Sequence, residues 1–172
     1  MININHMSPE EQFTIILDQY KNMILKVAGM YCREEEERKD LTQEIILQLW
    51  RAFPKYNDEY AVSTWLYRIA LNVCISYVRK TSTRNKAIQE YKSNPGLIHI
   101  EDQDLKQRLT LLYDAIEFLQ PFDKALIGLH LEGCKHKEIA DVLGITSSNV
   151  STRLSRIKDQ LKTRFISKKQ SL

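Results

Sequence analysis

Ser148, Asn149, Thr152, Arg153 and Arg156 fall within nine residues, at steps that place all five on one face of a helix. Hydroxyl, amide and guanidinium groups gathered this way read base edges and grip phosphates. An arginine fork can take guanine and an asparagine adenine, each pair worth about 1 to 3 kcal/mol of discrimination. Such chemistry needs a rigid carrier, and the interleaved residues provide one. Val150, Leu154, Ile157 and Leu161 form the opposite, apolar stripe at helical spacing. Upstream, Ile139, Ala140 and Leu143 make a shorter stripe, Gly144 ends it, and Thr146 or Ser147 can cap the second helix. The spacing from Lys135 to Leu161 predicts two short helices joined by a tight turn, a helix-turn-helix. A plain helical corner shares these stripes. Against it stand the small Ala140 at the crossing and the seven Lys or Arg, opposed only by Asp159, between Ile145 and Leu172.

A second set of candidate residues lies earlier. Lys55 to Val62 lacks periodicity and reads as a loop carrying Lys55, Tyr56, Asn57 and Tyr60. Next comes a helix with Arg68, Asn72, Ser76, Arg79 and Lys80 outward, capped by Ser63 or Thr64. Its expected inward side is Trp65, Leu66, Ile69, Ala70, Val73, Tyr77 and Val78. Aromatic rings beside cations suit a single-stranded nucleic acid, whose bases stack on the rings.

The elements that must position these groups read as helices throughout. Ser8-Pro9-Glu10-Glu11 opens the first, and Phe13, Ile16, Leu17, Tyr20, Ile24, Val27 and Ala28 carry it to about Tyr31. Arg33 to Lys39 is charged enough to suggest a helix break or a short exposed turn, with the next helix starting at Asp40. There Leu41, Ile45, Leu49 and Phe53 form the buried stripe, Asp40, Gln43, Glu44, Gln48 and Arg51 the polar face, and Pro54 the stop. From Thr81 to Arg108 the pattern fades around an Asn94-Pro95-Gly96 turn, leaving only a short helical piece at Ala87 to Tyr91. Leu109, Leu112, Ile116 and Leu119 then start a helix that ends before Pro121, and Phe122 to Leu131 form another, with Phe122, Ala125, Leu126 and Leu129 inward. The expected fold is all-α: two small helical domains, residues 8–80 and 109–167, joined by a flexible linker at 81–108, with the helix-turn-helix inside a four-helix second unit.

Composition narrows the function. At 172 residues, with 43% apolar and 27% charged residues, the chain is globular, and its net charge of +3 is mild. Cys32, Cys74 and Cys134 are too scattered for a disulfide framework or a zinc site, and are expected as reduced thiols. His6, His99, His130 and His136 are dispersed, and neither a nucleophile triad nor a glycine-rich phosphate loop is present, so no catalysis, metal or cofactor is expected. With neither a signal segment nor a membrane-length apolar run, a cytoplasmic protein without membrane insertion is expected.

Three segments together resemble a family. Asp40-Leu41-Thr42-Gln43-Glu44 leading to Leu49-Trp50-Arg51 looks like the conserved region-two helix of bacterial RNA polymerase sigma factors of the extracytoplasmic-function type, within the sigma-70 family. Ser63-Thr64-Trp65-Leu66-Tyr67-Arg68-Ile69-Ala70-Leu71-Asn72 resembles its promoter-melting helix, and Leu131-Glu132-Gly133 with Lys137 to Ile145, Val150, Arg153-Leu154 and Arg156 resembles region four. The resemblance implies a transcription initiation factor that binds core RNA polymerase at its clamp helices and flap. By that resemblance Asp40, Gln43, Glu44, Gln48 and Arg51 dock on the clamp, and the loop at Lys55 to Val62 captures a flipped base of the minus-ten element. Arg68, Asn72, Ser76, Arg79 and Lys80 then lie along the melted strand, while Ser148, Asn149, Thr152, Arg153 and Arg156 read the minus-thirty-five duplex. It also implies an anti-sigma factor as a partner. The rival reading is a regulator of the response-regulator output type, which shares the KEIA-x-x-L-G core but leaves Asp40 to Lys80 as mere packing.

Overall fold

A computed structural model describes residues 7–32, 34–84 and 115–169, and all the regular elements among them are helical. They are α1 (Pro9–Tyr31), α2 (Glu35–Ala52), a 3₁₀ turn (Phe53–Lys55), α3 (Val62–Arg84), α4 (Pro121–Leu131), α5 (His136–Leu143) and α6 (Ser147–Lys169). The chain divides into two units, one up to Arg84 and one from Asn85.

In the first unit, α1, α2 and α3 each pack on the other two. The start of α1 is fixed by a capping box: the Glu11 backbone N–H donates to Ser8 Oγ at 3.3 Å, and the Ser8 N–H donates to the Glu11 carboxylate at 2.8 Å. Phe13, Ile24, Val27 and Ala28 are its buried residues. α2 begins at Glu35, five residues before the expected Asp40. The acidic run that reads as a break is the first turn of the helix. Glu35, Glu36 and Glu37 face the positive end of the helix dipole there, and Lys39 neutralises Glu35 and Glu36 at 3.1 and 2.9 Å. Leu41, Ile45 and Leu49 are buried as the i+4 stripe requires.

α3 departs from expectation in three ways. It starts at Val62, so the Ala61 carbonyl accepts from the Trp65 N–H at 3.1 Å, and Ser63 and Thr64 lie inside the first turn instead of capping it. It also runs to Arg84, four residues into the expected linker; the remainder of that segment, including Ala87 to Tyr91, lies outside the described residues. Finally, its buried face is turned: Leu66, Ala70, Leu71 and Cys74 are buried, whereas Trp65, Ile69, Val73, Tyr77 and Val78 are only partly covered. Ala70 and Cys74 are small, and their size lets α3 lie close to its neighbours where a longer stripe residue would hold it away.

In the second unit, a helical turn at 115–117 precedes α4; Ala115, Ile116 and Leu119 are buried, while Leu109 and Leu112 lie outside the described residues. α4, α5 and α6 pack pairwise around Ala125, Leu126, Leu129, Ile139, Val150, Leu154 and Ile157. Gly144 ends α5 at φ 67°, the left-handed conformation that glycine adopts without penalty. Thr146 caps α6, accepting the Asn149 N–H at 3.2 Å. α6 is not short. It extends over 23 residues to Lys169. Burying Val150, Leu154 and Ile157 contributes about 1.5 to 3 kcal/mol each, so apolar packing, not surface ion pairs of about 1 kcal/mol or less, holds this helix to its unit.

Candidate nucleic-acid interface

A chain of aromatic rings in the first unit leads from its core to the loop at residues 56–61. Phe13 of α1 meets Trp50 and Phe53 at centroid distances of 5.1 and 5.3 Å, Phe53 meets Trp65 at 6.3 Å, and Trp65 meets Tyr56 at 5.1 Å. Each tilted pair adds about 0.5 to 1.5 kcal/mol beyond its buried area, so the loop's first residue is anchored to the core. The loop is then closed on itself. Tyr56 Oη donates to the Tyr60 carbonyl at 2.9 Å, and Asn57 Oδ1 accepts the Glu59 N–H at 3.4 Å. Asp58 sits between them in the left-handed region at φ 56°, which aspartate tolerates better than most residues. Burial and the neighbouring Asp58 push the Tyr56 phenol up, which keeps it a proton donor.

Tyr60, 37% exposed, carries the Arg68 guanidinium over its ring at 4.5 Å. Arg68 thus joins the loop to α3, whose Asn72, Ser76, Arg79 and Lys80 are exposed along the same side. Lys55 and Asn57 are exposed too. Tyr56, in contrast, has its ring against Trp65 and its hydroxyl on the loop backbone, which leaves Tyr60 the more exposed of the two rings.

On α2, Asp40, Gln43, Glu44 and Arg51 are exposed, Gln48 is half-buried, and Gln48 Nε2 donates to Glu44 Oε1 at 2.7 Å. Leu47, 40% exposed, falls in the middle of this polar face. Sequence reasoning missed it, because a leucine on an amphipathic helix is ordinarily assigned to the core. The usable signal is its position: seven residues after Asp40 and four before Arg51, it shares their side of the helix.

On α6, Ser148, Asn149, Thr152 and Arg156 are exposed, and the Thr152 hydroxyl donates to the Ser148 carbonyl at 3.0 Å. Arg153 differs from them. It stands next to buried Leu154, at the edge of the apolar stripe; its Nε donates to Asp123 Oδ1 of α4 at 3.1 Å, and its Nη2 forms an ion pair with the same oxygen at 3.0 Å. Its guanidinium lies 4.8 Å from the centre of the Phe122 ring. Sequence reasoning misses Asp123 and assigns Phe122 only to the inward side of its helix, whereas the ring is half-buried and carries the Arg153 cation. Thirty positions from Arg153, an acid in a first helical turn carries no mark of its tertiary partner.

Cys32, Cys74 and Cys134 are not joined in disulfides. Burial, with Cys32 nearby, pushes the Cys74 thiol up to about 12, so it stays protonated and packs as an apolar group. No group of three or more His, Cys, Asp or Glu among the described residues could hold a metal ion, and no described helix is long and apolar enough to cross a membrane.

Comparison with known proteins assigns both units. Residues 16–93 match the family described as sigma-70 region 2, and residues 109–161 match sigma-70 region 4. The chain is 25% identical over 170 residues to the ECF RNA polymerase sigma-E factor of Haemophilus influenzae, covering 91% of this chain and 88% of that one. It is 23% identical to the RNA polymerase sigma-H factor of Pseudomonas aeruginosa, over 87% and 83% of the two chains. In fold it is similar to CnrH, solved with the cytosolic domain of CnrY (TM-score 0.67, 17% identity, 92% of this chain and 90% of that one). It is likewise similar to the sigma factor RpoE of Bartonella quintana, solved with the anti-sigma factor NepR (TM-score 0.68, 16% identity, 90% and 94%). The region 2 match falls on the residues that the response-regulator reading leaves as mere packing, and that reading is not favoured. With the two regions in this order, the chain belongs to the sigma-70 family as an extracytoplasmic-function sigma factor, a promoter-directing transcription initiation factor.

Proposed function

We propose that the two units divide promoter recognition between them, the first opening the minus-ten element and the second reading the minus-thirty-five duplex. The outer face of α2, with Asp40, Gln43, Glu44, Gln48 and Arg51 around Leu47, docks on the clamp helices of core RNA polymerase. An apolar side chain ringed by polar ones is a common interface arrangement. The second unit engages the flap.

The observation that supports this reading most is the loop at residues 56–61, tied to the core through Trp65 and closed by the Tyr56 hydroxyl. Extruding a base costs a few kcal/mol of stacking and pairing, and a receptor ordered beforehand offsets that cost without an ordering penalty of its own. Tyr60 supplies a ring for the extruded base, Lys55 and Asn57 flank it, and Arg68, Asn72, Ser76, Arg79 and Lys80 follow the strand phosphates and edges. Upstream, Ser148, Asn149, Thr152 and Arg156 face the major groove, with Arg153 at their margin.

The structures of CnrH with CnrY and of RpoE with NepR support an anti-sigma factor as a further partner of this chain. Its place of action is the cytoplasm, where core polymerase and promoter DNA are found.

Permanganate footprinting of holoenzyme on a responsive promoter tests the division of labour. Unpaired thymines are expected in the minus-ten region. Tyr60→Ala is expected to suppress them while upstream protection remains, and Arg156→Ala to weaken upstream protection first. Loss of upstream protection in the Tyr60→Ala holoenzyme would count against separate roles.

A further inference from the structure

We propose that Asp123 and the ring of Phe122 seat the Arg153 guanidinium as a pre-oriented clamp for one backbone phosphate of duplex DNA, which makes Asp123 a positioning residue of that interface. The inference rests on the duplex-reading role given above to the second unit. Two restraints of different kinds act on the same guanidinium. Nε and Nη2 converge on the single oxygen Asp123 Oδ1 at 3.1 and 3.0 Å, and the cation lies 4.8 Å from the centre of the Phe122 ring. Together they fix both the direction of the side chain and the plane of its fork.

The position of Arg153 selects the ligand. Thr152 and Arg156 are exposed, whereas Arg153 is half-buried beside Leu154, where α6 meets the first turn of α4. A long side chain drawn back to α4 from that edge does not extend across the floor of a groove. It lies at the groove's margin, where the phosphates are. Two of the guanidinium nitrogens face Oδ1, and of the five N–H donors those on Nη1 point away from it, toward an incoming phosphate oxygen. The Arg153 side chain remains 43% exposed, so a phosphate can reach it. An ion pair this exposed adds little to stability, and its contribution is orientation.

The test turns on sign. Removing the Asp123 carboxylate raises the positive charge of the interface, which by electrostatics alone tightens DNA binding. Loss of the seat weakens it. Holoenzyme assembled from core polymerase and the full chain is titrated with duplex fragments carrying the upstream element that wild type prefers, and with fragments substituted at each of its positions, over a range of salt. Arg153→Ala is expected to weaken binding about tenfold on every fragment and to lower the salt slope by about one. Asp123→Ala is expected to weaken it about threefold to tenfold despite the added charge, Asp123→Glu to recover part of the loss, and Asp123→Ala to cause no further loss in the Arg153→Ala background.

Equal or tighter binding by Asp123→Ala overturns the proposal, as does a loss confined to one base pair, which would make Arg153 a base reader. A further loss in the Arg153→Ala background also overturns it, since Asp123 would then act through the fold. If wild-type holoenzyme shows no dependence on the upstream element, the duplex-reading role falls and the clamp falls with it. If that dependence is intact and Asp123→Ala is silent, the clamp alone fails.

Discussion

Replacing Tyr56 by Phe removes one oxygen atom and asks what a closed loop contributes to strand opening. The lost interaction is the 2.9 Å hydrogen bond from Tyr56 Oη to the Tyr60 carbonyl, while the ring contact with Trp65 at 5.1 Å is kept. A hydrogen bond of this kind nets about 0.5 to 1.5 kcal/mol, because water replaces the partner at a half-exposed site. If the ordered loop is the receptor for an extruded base, that amount reappears as a loss in open-complex formation of about twofold to tenfold. Core binding should not change, since α2 is untouched, and the melting temperature of the first unit should fall by about 2 to 12 °C. Stopped-flow fluorescence from 2-aminopurine in the minus-ten element measures the opening step directly. Wild-type opening rates in the Tyr56→Phe holoenzyme, or a defect that appears equally in core binding, would exclude the closed loop as the receptor for the base.

Other expectations concern single residues. Leu47→Asp places a charge at the centre of the α2 polar face, and should reduce affinity for core polymerase at least about tenfold with little change in melting, as a titration with labelled core enzyme would register. Leu126→Ala opens a cavity at a fully buried site of the second unit and should cost about 2 to 5 kcal/mol, read by chemical denaturation, with upstream recognition lost before core binding. Gly144→Ala forces a Cβ into a left-handed backbone with no steric neighbour within 4 Å, so the cost should be the backbone term alone, about 1 kcal/mol. The His130 pKa is lowered by burial first, then by Lys158 and His136. Its neutral form is therefore favoured in the fold, and the associated stability is present above the ordinary value of 6.5 and lost as pH falls through the lower folded value. Melting should drop from pH 7.5 to pH 5.5, and His130→Asn should flatten that slope.

The sequence is most legible where a local rule coincides with the tertiary outcome. Ser8 with Glu11, Gly144 and Thr146 each mark a helix end through their own backbone chemistry, and each sits where that chemistry requires. The i+4 stripe of α2 likewise reads directly onto its buried face. Failures arise where two local rules compete or where a partner is remote. The acidic residues 35–37 read as a break because their charge outweighs their value at a helix N-terminus, which is decided by the dipole and Lys39. The inward side of α3 is read correctly at Leu66 and Ala70 and misjudged elsewhere, because Trp65 and Tyr77 outrank Cys74 in hydrophobic size, although Leu71 and Cys74 are the residues buried beside them. Of the proposed interfaces, the exposed polar faces of α2, α3 and α6 follow from periodicity. The Tyr56 closure, the left-handed Asp58 and the Asp123 seat do not, because each depends on a backbone path or a partner that spacing does not encode.

The division of recognition between two units is tested most directly by run-off transcription with purified core polymerase and this chain on a library of templates randomised separately at the minus-ten and minus-thirty-five positions. Transcripts are expected to depend on this chain and to carry two enriched blocks, with Tyr60→Ala flattening only the downstream block and Arg156→Ala only the upstream one. A single enriched block, or both variants flattening both blocks alike, would contradict that division.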